Sequence, residues 1–217
     1  MCYDAYRSGY DGANMLVEST KMAEETGINQ GSDSGEVVRM QTGIGTMPFG
    51  KDEALTGEQS ERKQEALEFF RSAYDAQAHN RLDEAVELYK KSIDAYPTAE
   101  AYTFLGWTYN FMGLTDDAIA QCRIAIEVDP DFGNPYNDIG AYLIEKGDLN
   151  GAVEWLQRAT TATRYECYFY PHFNLGRIYE GRGQVFDALR EYHAAARLNP
   201  AYKAAIRALR KLQGKLN

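Results

Sequence analysis

The 217-residue chain is 44% apolar and 25% charged, which is enough apolar content for a packed core over most of its length. No stretch approaches the roughly 18 consecutive apolar residues that a membrane span needs, and Met1-Cys2-Tyr3-Asp4 lacks the basic and apolar regions of a secretory signal, so no membrane association and a cytoplasmic location are expected. The net charge of -9 argues against nucleic acid as the main partner, because phosphate binding needs clustered Lys and Arg that release counterions.

Residues 1–58 are rich in Gly, Ser, Thr and Asp, and segments such as Gly31-Ser32-Asp33-Ser34-Gly35 break any helical period. They read as a flexible, mostly disordered leader, with one short helix expected between Asn14 and Thr26. From Ser60 onward the pattern changes to Ala-rich amphipathic helices punctuated by Gly and Pro. Ala85, Ala118, Ala152 and Ala188 anchor a self-similarity with separations of 33, 34 and 36 residues, close to the 34-residue period of a helix-turn-helix solenoid. Repeats are predicted at about 66–98, 99–132, 133–168 and 169–202, and 201–217 is predicted as a capping helix.

The same residue types return in each repeat. The second reads Tyr102, Leu105-Gly106, Tyr109, Gly113, Ala118, Ala125, Pro130, and the fourth reads Leu175-Gly176, Tyr179, Gly183, Ala188, Tyr192, Ala195, Pro200. The third has Tyr136, Ile139-Gly140, Gly147, Ala152 and Ala159, and the first has Phe69, Ala73, Asn80, Ala85, Tyr89 and Pro97. Gly106, Gly140 and Gly176, with Ala73, are placed where the two helices of a hairpin cross and only a small residue lets the backbones approach. Gly113, Gly147, Gly183 and Asn80 are placed where a left-handed residue closes the first helix. Pro97, Pro130 and Pro200 end the second helix, since proline lacks the amide that would continue the ladder. In the closing segment Tyr202, Ile206, Leu209 and Leu212 form an apolar stripe opposite Lys203, Arg207, Arg210, Lys211 and Lys215.

This pattern, a large residue followed by Leu-Gly, Tyr, Gly, Ala, an aromatic, Ala and Pro, resembles the tetratricopeptide repeat family over about residues 66–200. The resemblance implies an all-α, right-handed superhelical solenoid of about four hairpins that acts as a protein-protein interaction scaffold and binds a partner peptide or domain in its concave groove. On the family's register that groove is lined by Phe70, Tyr74, Trp107, Asn110, Phe111, Asn137, Tyr170, Phe173, Asn174 and Arg177, with Arg207 and Lys211 from the cap. The residues that clamp a chaperone's C-terminal carboxylate in some family members are replaced here by Phe70, Tyr74, Phe104, Asn134 and Asp138. The asparagine ladder of another family branch keeps only Asn174, against Arg71, Phe104 and Asp138. A self-assembling structural protein, or an accessory subunit of an enzyme complex, is the alternative reading.

Charge is uneven along the chain. Residues 1–60 hold ten acids and four bases, residues 116–154 nine acids and two bases, and residues 156–217 four acids and eleven bases. Such a gradient steers partners without naming them. Cys2, Cys122 and Cys167 are widely spaced and odd in number, so neither a disulfide framework nor a zinc site is indicated. His79, His172 and His193 fall on different surfaces by register, and no nucleotide-binding or nucleophile-elbow motif appears. No enzymatic activity, cofactor or metal is therefore expected. Two irregularities stand out. Trp155 falls on a second helix and reads as structural. The junction at 160–171 carries two extra residues and reads as a lengthened helix, with an aromatic lip of Tyr165, Tyr168 and Tyr170 as the alternative.

Overall fold

A computed structural model describes residues 56–216. The greater part of the expected leader, including the helix predicted between Asn14 and Thr26, lies outside the described residues. Among the described residues the chain forms nine α-helices: α1 (Gly57–Ala78), α2 (Leu82–Ala95), α3 (Ala99–Phe111), α4 (Thr115–Val128), α5 (Asn134–Glu145), α6 (Leu149–Ala159), α7 (Phe169–Gly181), α8 (Val185–Leu198) and α9 (Lys203–Gly214). Consecutive helices pair as antiparallel hairpins, α1 with α2 through α7 with α8, and α9 packs on α8. No described helix is long and apolar enough to cross a membrane.

Each boundary has a local cause. Thr56 caps α1 by accepting from the Gln59 amide, while the Gln59 side chain accepts from the Thr56 amide, so two otherwise unpaired donors are satisfied reciprocally. The helix thus starts at Gly57, ahead of the repeat boundary expected near residue 66. Thr98 and Asp148 cap α3 and α6 through side-chain oxygens. Asn80, Gly113, Gly147 and Gly183 all adopt positive φ, from 58° to 81°, one residue beyond the C-cap of each hairpin's first helix. The left-handed residue reverses the chain at each of these turns. The second helices α2, α4 and α8 end two residues before Pro97, Pro130 and Pro200.

Close helix crossing sets the core. A Cβ built on Gly176 would fall 2.5 Å from the Tyr192 ring, one on Gly140 2.5 Å from Leu156, and one on Gly106 3.0 Å from the Ala118 carbonyl oxygen. In the first hairpin Ala73 takes this place, fully buried beside Ala85 and Tyr89. The facing second-helix positions are therefore filled in turn by Tyr89, Cys122, Leu156 and Tyr192, each essentially inaccessible. Both tyrosines tie their hydroxyls to equivalent places on the first helix. Tyr89 donates to Gln77 Oε1 at 2.8 Å and Tyr192 to Glu180 Oε2 at 2.9 Å. Burial and the Glu180 hydrogen bond together hold the Tyr192 phenol well above its ordinary pKa, so it remains a donor.

First helices of neighbouring hairpins also touch one another, α1 with α3 and α5 with α7, which sets the first-helix layer on the inner side of the curve. Trp155 lies on the outer layer, flanked by the Arg123 and Arg158 guanidinium groups at 5.3 and 5.2 Å from its ring centre. Arg158 also covers the Tyr136 ring at 4.5 Å, and this stacking gives Trp155 its structural role.

Gly176→Ala is expected to destabilise the protein by about 1–3 kcal/mol, because the added methyl collides with the Tyr192 ring. Gly181→Ala, with nothing within 4 Å of its Cβ position, should be neutral or stabilising by up to about 1 kcal/mol. Urea denaturation of both variants checks the pair; equal effects would show that crossing distance does not govern the core.

Candidate partner-binding face

Along the first-helix layer a hydrogen-bonded chain crosses three hairpins. The Trp107 indole on α3 donates to Asp138 Oδ2 on α5 at 2.7 Å, and Asn137 Nδ2 reaches Asp138 Oδ1 at 3.4 Å. Asn174 Nδ2 on α7 reaches Asn137 Oδ1 at 3.4 Å, and Arg177 Nη1 closes the series on Asn174 Oδ1 at 3.5 Å. Asp138, Asn137 and Asn174 are buried, and burial makes polar partners of this kind obligatory. At the rim, burial pushes the Glu145 carboxyl upward, opposed by a hydrogen bond from Asn110 and the charge of Arg177. Exposed Phe111, 48% accessible, ends α3 on the same hairpin as Asn110.

The structure thus brings together Trp107, Asn110, Asn137, Asn174 and Arg177 of the residues singled out in the sequence, with Glu145 of the same predicted register, and adds Asp138. It places the other aromatics differently. Phe70 is fully buried, with T-shaped contacts to Tyr89 and Phe104 at 5.4 and 5.1 Å, so it is a core residue and does not line an open surface. Trp107 is only 7% exposed, because its ring packs on Phe104 at 4.7 Å while its N–H is held by Asp138. Tyr74 is half-buried against Phe104. Tyr170 and Phe173 pack on Tyr202 at 5.5 and 5.2 Å and so help seat α9. Arg207 and Lys211 are exposed on α9. Among the described residues no hydrogen bond or ion pair links these two to the polar chain.

Residues 70–131 match the tetratricopeptide repeat family model, in phase with the first two hairpins. These residues carry tetratricopeptide repeats, and the described helices beyond them continue the same hairpin pattern. Among solved structures it is similar to MamA, with 23% identity, 70% of this chain and 83% of that chain covered, and a TM-score of 0.58. The PilF protein of Pseudomonas aeruginosa gives a TM-score of 0.67 at 18% identity, covering 71% of this chain and 70% of that one. YrrB, described as a TPR protein with an unusual peptide-binding site, gives 0.54 at 22% identity, covering 75% and 84%. At these identities the likeness concerns the fold. None of the curated proteins matches the chain.

The irregular junction between the third and fourth hairpins is neither of the forms expected. Helix α6 ends at Ala159 without lengthening, and a loop follows. Arg164 pairs its backbone with the turn before α5, donating to the Asp131 carbonyl at 2.9 Å and accepting from the Gly133 amide at 3.1 Å. Its guanidinium donates to Glu100 Oε1 at 2.6 Å and Asp129 Oδ2 at 2.8 Å while lying 4.2 Å over the Phe132 ring. Glu100 is buried, and this cation is what lets its charge stay there. Tyr165 is buried on Gly133, where a Cβ would fall 2.4 Å from its ring, so it forms no exposed lip. Tyr168, half-buried, folds its hydroxyl back onto the Ala162 carbonyl at 2.5 Å.

Arg164→Ala leaves Glu100 buried without its cation and is expected to cost on the order of 3 kcal/mol, measurable by chemical denaturation; the Glu100→Gln variant on that background should recover part of the loss. A second pair titrates. Burial raises the Glu191 carboxyl, but the hydrogen bond and charge of His172 at 2.7 Å, with Arg190, outweigh it and leave the group below its ordinary value of 4.5. A depressed carboxylate contributes stability above its unfolded pKa and loses it as pH falls through its folded pKa. Unfolding midpoints should therefore drop below pH 4.5 more steeply in the wild type than in Glu191→Gln, as thermal melts across an acid series would show.

Proposed function

We propose that the protein is a scaffold that holds an extended segment of a partner protein along its first-helix face. The observation that carries this reading is the hydrogen-bonded chain from Trp107 to Arg177, which fixes polar side chains of three successive hairpins in one line. Side chains held by such bonds lose little further freedom when a ligand binds, which is the condition for tight recognition on a preformed surface. At the rim, Phe111 offers an apolar anchor, and Arg177 and Glu145 offer opposite charges. Aromatic residues and arginine are among the residue types that dominate binding hot spots. The tetratricopeptide fold supports the reading, as does YrrB, a TPR protein described by its peptide-binding site.

Phe70 and Trp107 serve this face from beneath, as packing that keeps α3 and α5 in register. Contact with a partner falls to Asn110, Phe111, Glu145 and Arg177. The double variant Phe111→Ala/Arg177→Glu is expected to lower partner capture by at least tenfold, the loss of about 1.4 kcal/mol or more that truncating one hot spot produces, while helical circular dichroism is unchanged. Affinity capture with both proteins, read by quantitative mass spectrometry, tests it. Partners retained by the variant at wild-type level would move the binding surface away from this face.

A further inference from the structure

The two ends of the solenoid carry opposite charge on regular stripes. On α1, Glu58, Glu61, Glu65 and Glu68 recur at spacings of three and four, so they share one helical face. All four are exposed, on the side of α1 turned away from its buried Ala66, Phe70 and Ala73. Among the described residues none of the four is in an ion pair, and the Glu68 carboxylate accepts from neighbouring Gln64. On α9, Lys203, Arg207, Arg210, Lys211 and Lys215 occupy one face, all exposed, opposite buried Ala205 and Leu212. Among the described residues, Lys215 is the one of these that finds an acid, Glu180 at 3.5 Å. Residues 200–217 contain no acid at all.

The register adds a second observation. Helix α9 occupies the place of a fifth hairpin's first helix, with Leu209 in the position of Leu105, Ile139 and Leu175. The next residue, which is Gly106, Gly140 or Gly176 in the hairpins, is here the exposed Arg210. Those glycines exist to admit a second helix at close range. An arginine there excludes such a helix and presents a cation in its place.

We infer that the protein associates head to tail with further copies of itself, the basic stripe of α9 on one copy meeting the acidic stripe of α1 on the next. The occupant follows from complementarity: four acids spaced along one helix at the first end face five bases along one helix at the other. Such a contact is heterologous, since it uses different surfaces on the two partners, and it propagates as an open series unless rotation closes a ring. Solvent-exposed charge pairs are individually weak and strongly screened, so the association is concentration-dependent and sensitive to salt.

Sedimentation velocity of the full chain over a concentration series tests it at about 10 mM and about 1 M salt, where the screening length falls from about 30 Å to about 3 Å. Growth of mass with concentration at low salt and a monomer at high salt are expected; a monomer throughout at low salt overturns the inference. Glu61→Lys/Glu65→Lys and Lys203→Glu/Arg210→Glu should each be monomeric alone, and mixing the two should restore association as a pair, because the intact basic end of the first then meets the intact acidic end of the second. Association that survives in both separate variants, or a mixture that stays monomeric, also overturns it. The milder Glu61→Gln/Glu65→Gln and Lys203→Gln/Arg210→Gln pairs should each weaken association alone, and mixing them should restore the one wild-type contact in the same way. Circular dichroism of each variant confirms that the helices are intact.

Discussion

The close crossing of two helices within each hairpin is the constraint on which the other features rest. A helix pair approaches this far only where one partner lacks a side chain, and Gly106, Gly140 and Gly176 supply that gap, with Ala73 the near-equivalent in the first hairpin. What fills the facing position then varies with little effect on the architecture. Tyr89 and Tyr192 extend past the crossing and bond to Gln77 and Glu180, whereas Cys122 and Leu156 stop short. Where the large tyrosine is used, its hydroxyl reaches a polar partner near the far end of the first helix, as a buried phenol must. The core is thus uniform in backbone spacing and varied in side-chain chemistry.

Uniform spacing is what makes the inner face possible. Because each hairpin repeats the crossing, side chains separated by about one repeat come into register across neighbouring first helices. Trp107 meets Asp138, and Asn137 meets Asn174, at sequence separations of 31 and 37 residues. A polar chain buried this deeply is permissible only when its members satisfy one another. The same bonds fix which rotamers are available at the rim, so the core geometry at Asp138 reaches the contact residue Arg177 through Asn137 and Asn174.

Features that depend on nearby residues were legible in the sequence. The left-handed turn at Asn80 and at three glycines, the prolines that end α2, α4 and α8, and the amphipathic cap follow from local backbone chemistry and period. Features that depend on three-dimensional closure were not. Register alone turned Trp107 and Phe70 toward the inner face, but the exposure of both is set by ring packing, above all on Phe104, which shares α3 with Trp107 and meets Phe70 from the neighbouring hairpin. Arg164 shows the limit more sharply: its acidic partners lie 35 and 64 residues away, and no spacing rule connects them. The extra residues at the junction were visible, and composition suggested an aromatic lip. Instead, the cation-carboxylate bonds draw the loop down against the turn before α5, and Gly133 leaves the space that Tyr165 fills.

The same crossing rule sets α9 apart from the first helices before it. A fifth first helix is present in α9, with its apolar stripe packed on α8, so the stacking energy that adds a helix is still available there. A fifth hairpin would also need a small residue at the crossing, and Arg210 occupies that place. The last helix therefore keeps the inward half of the repeat pattern and abandons the outward half. An uncharged outward face would expose apolar surface to other chains without selecting among them. A face of five bases admits only an acidic counterpart, and the chain carries one at its opposite end. Crossing and selectivity thus meet at one position: the place that is small in each hairpin is, in α9, the place where a charge directs contact to a surface of opposite sign.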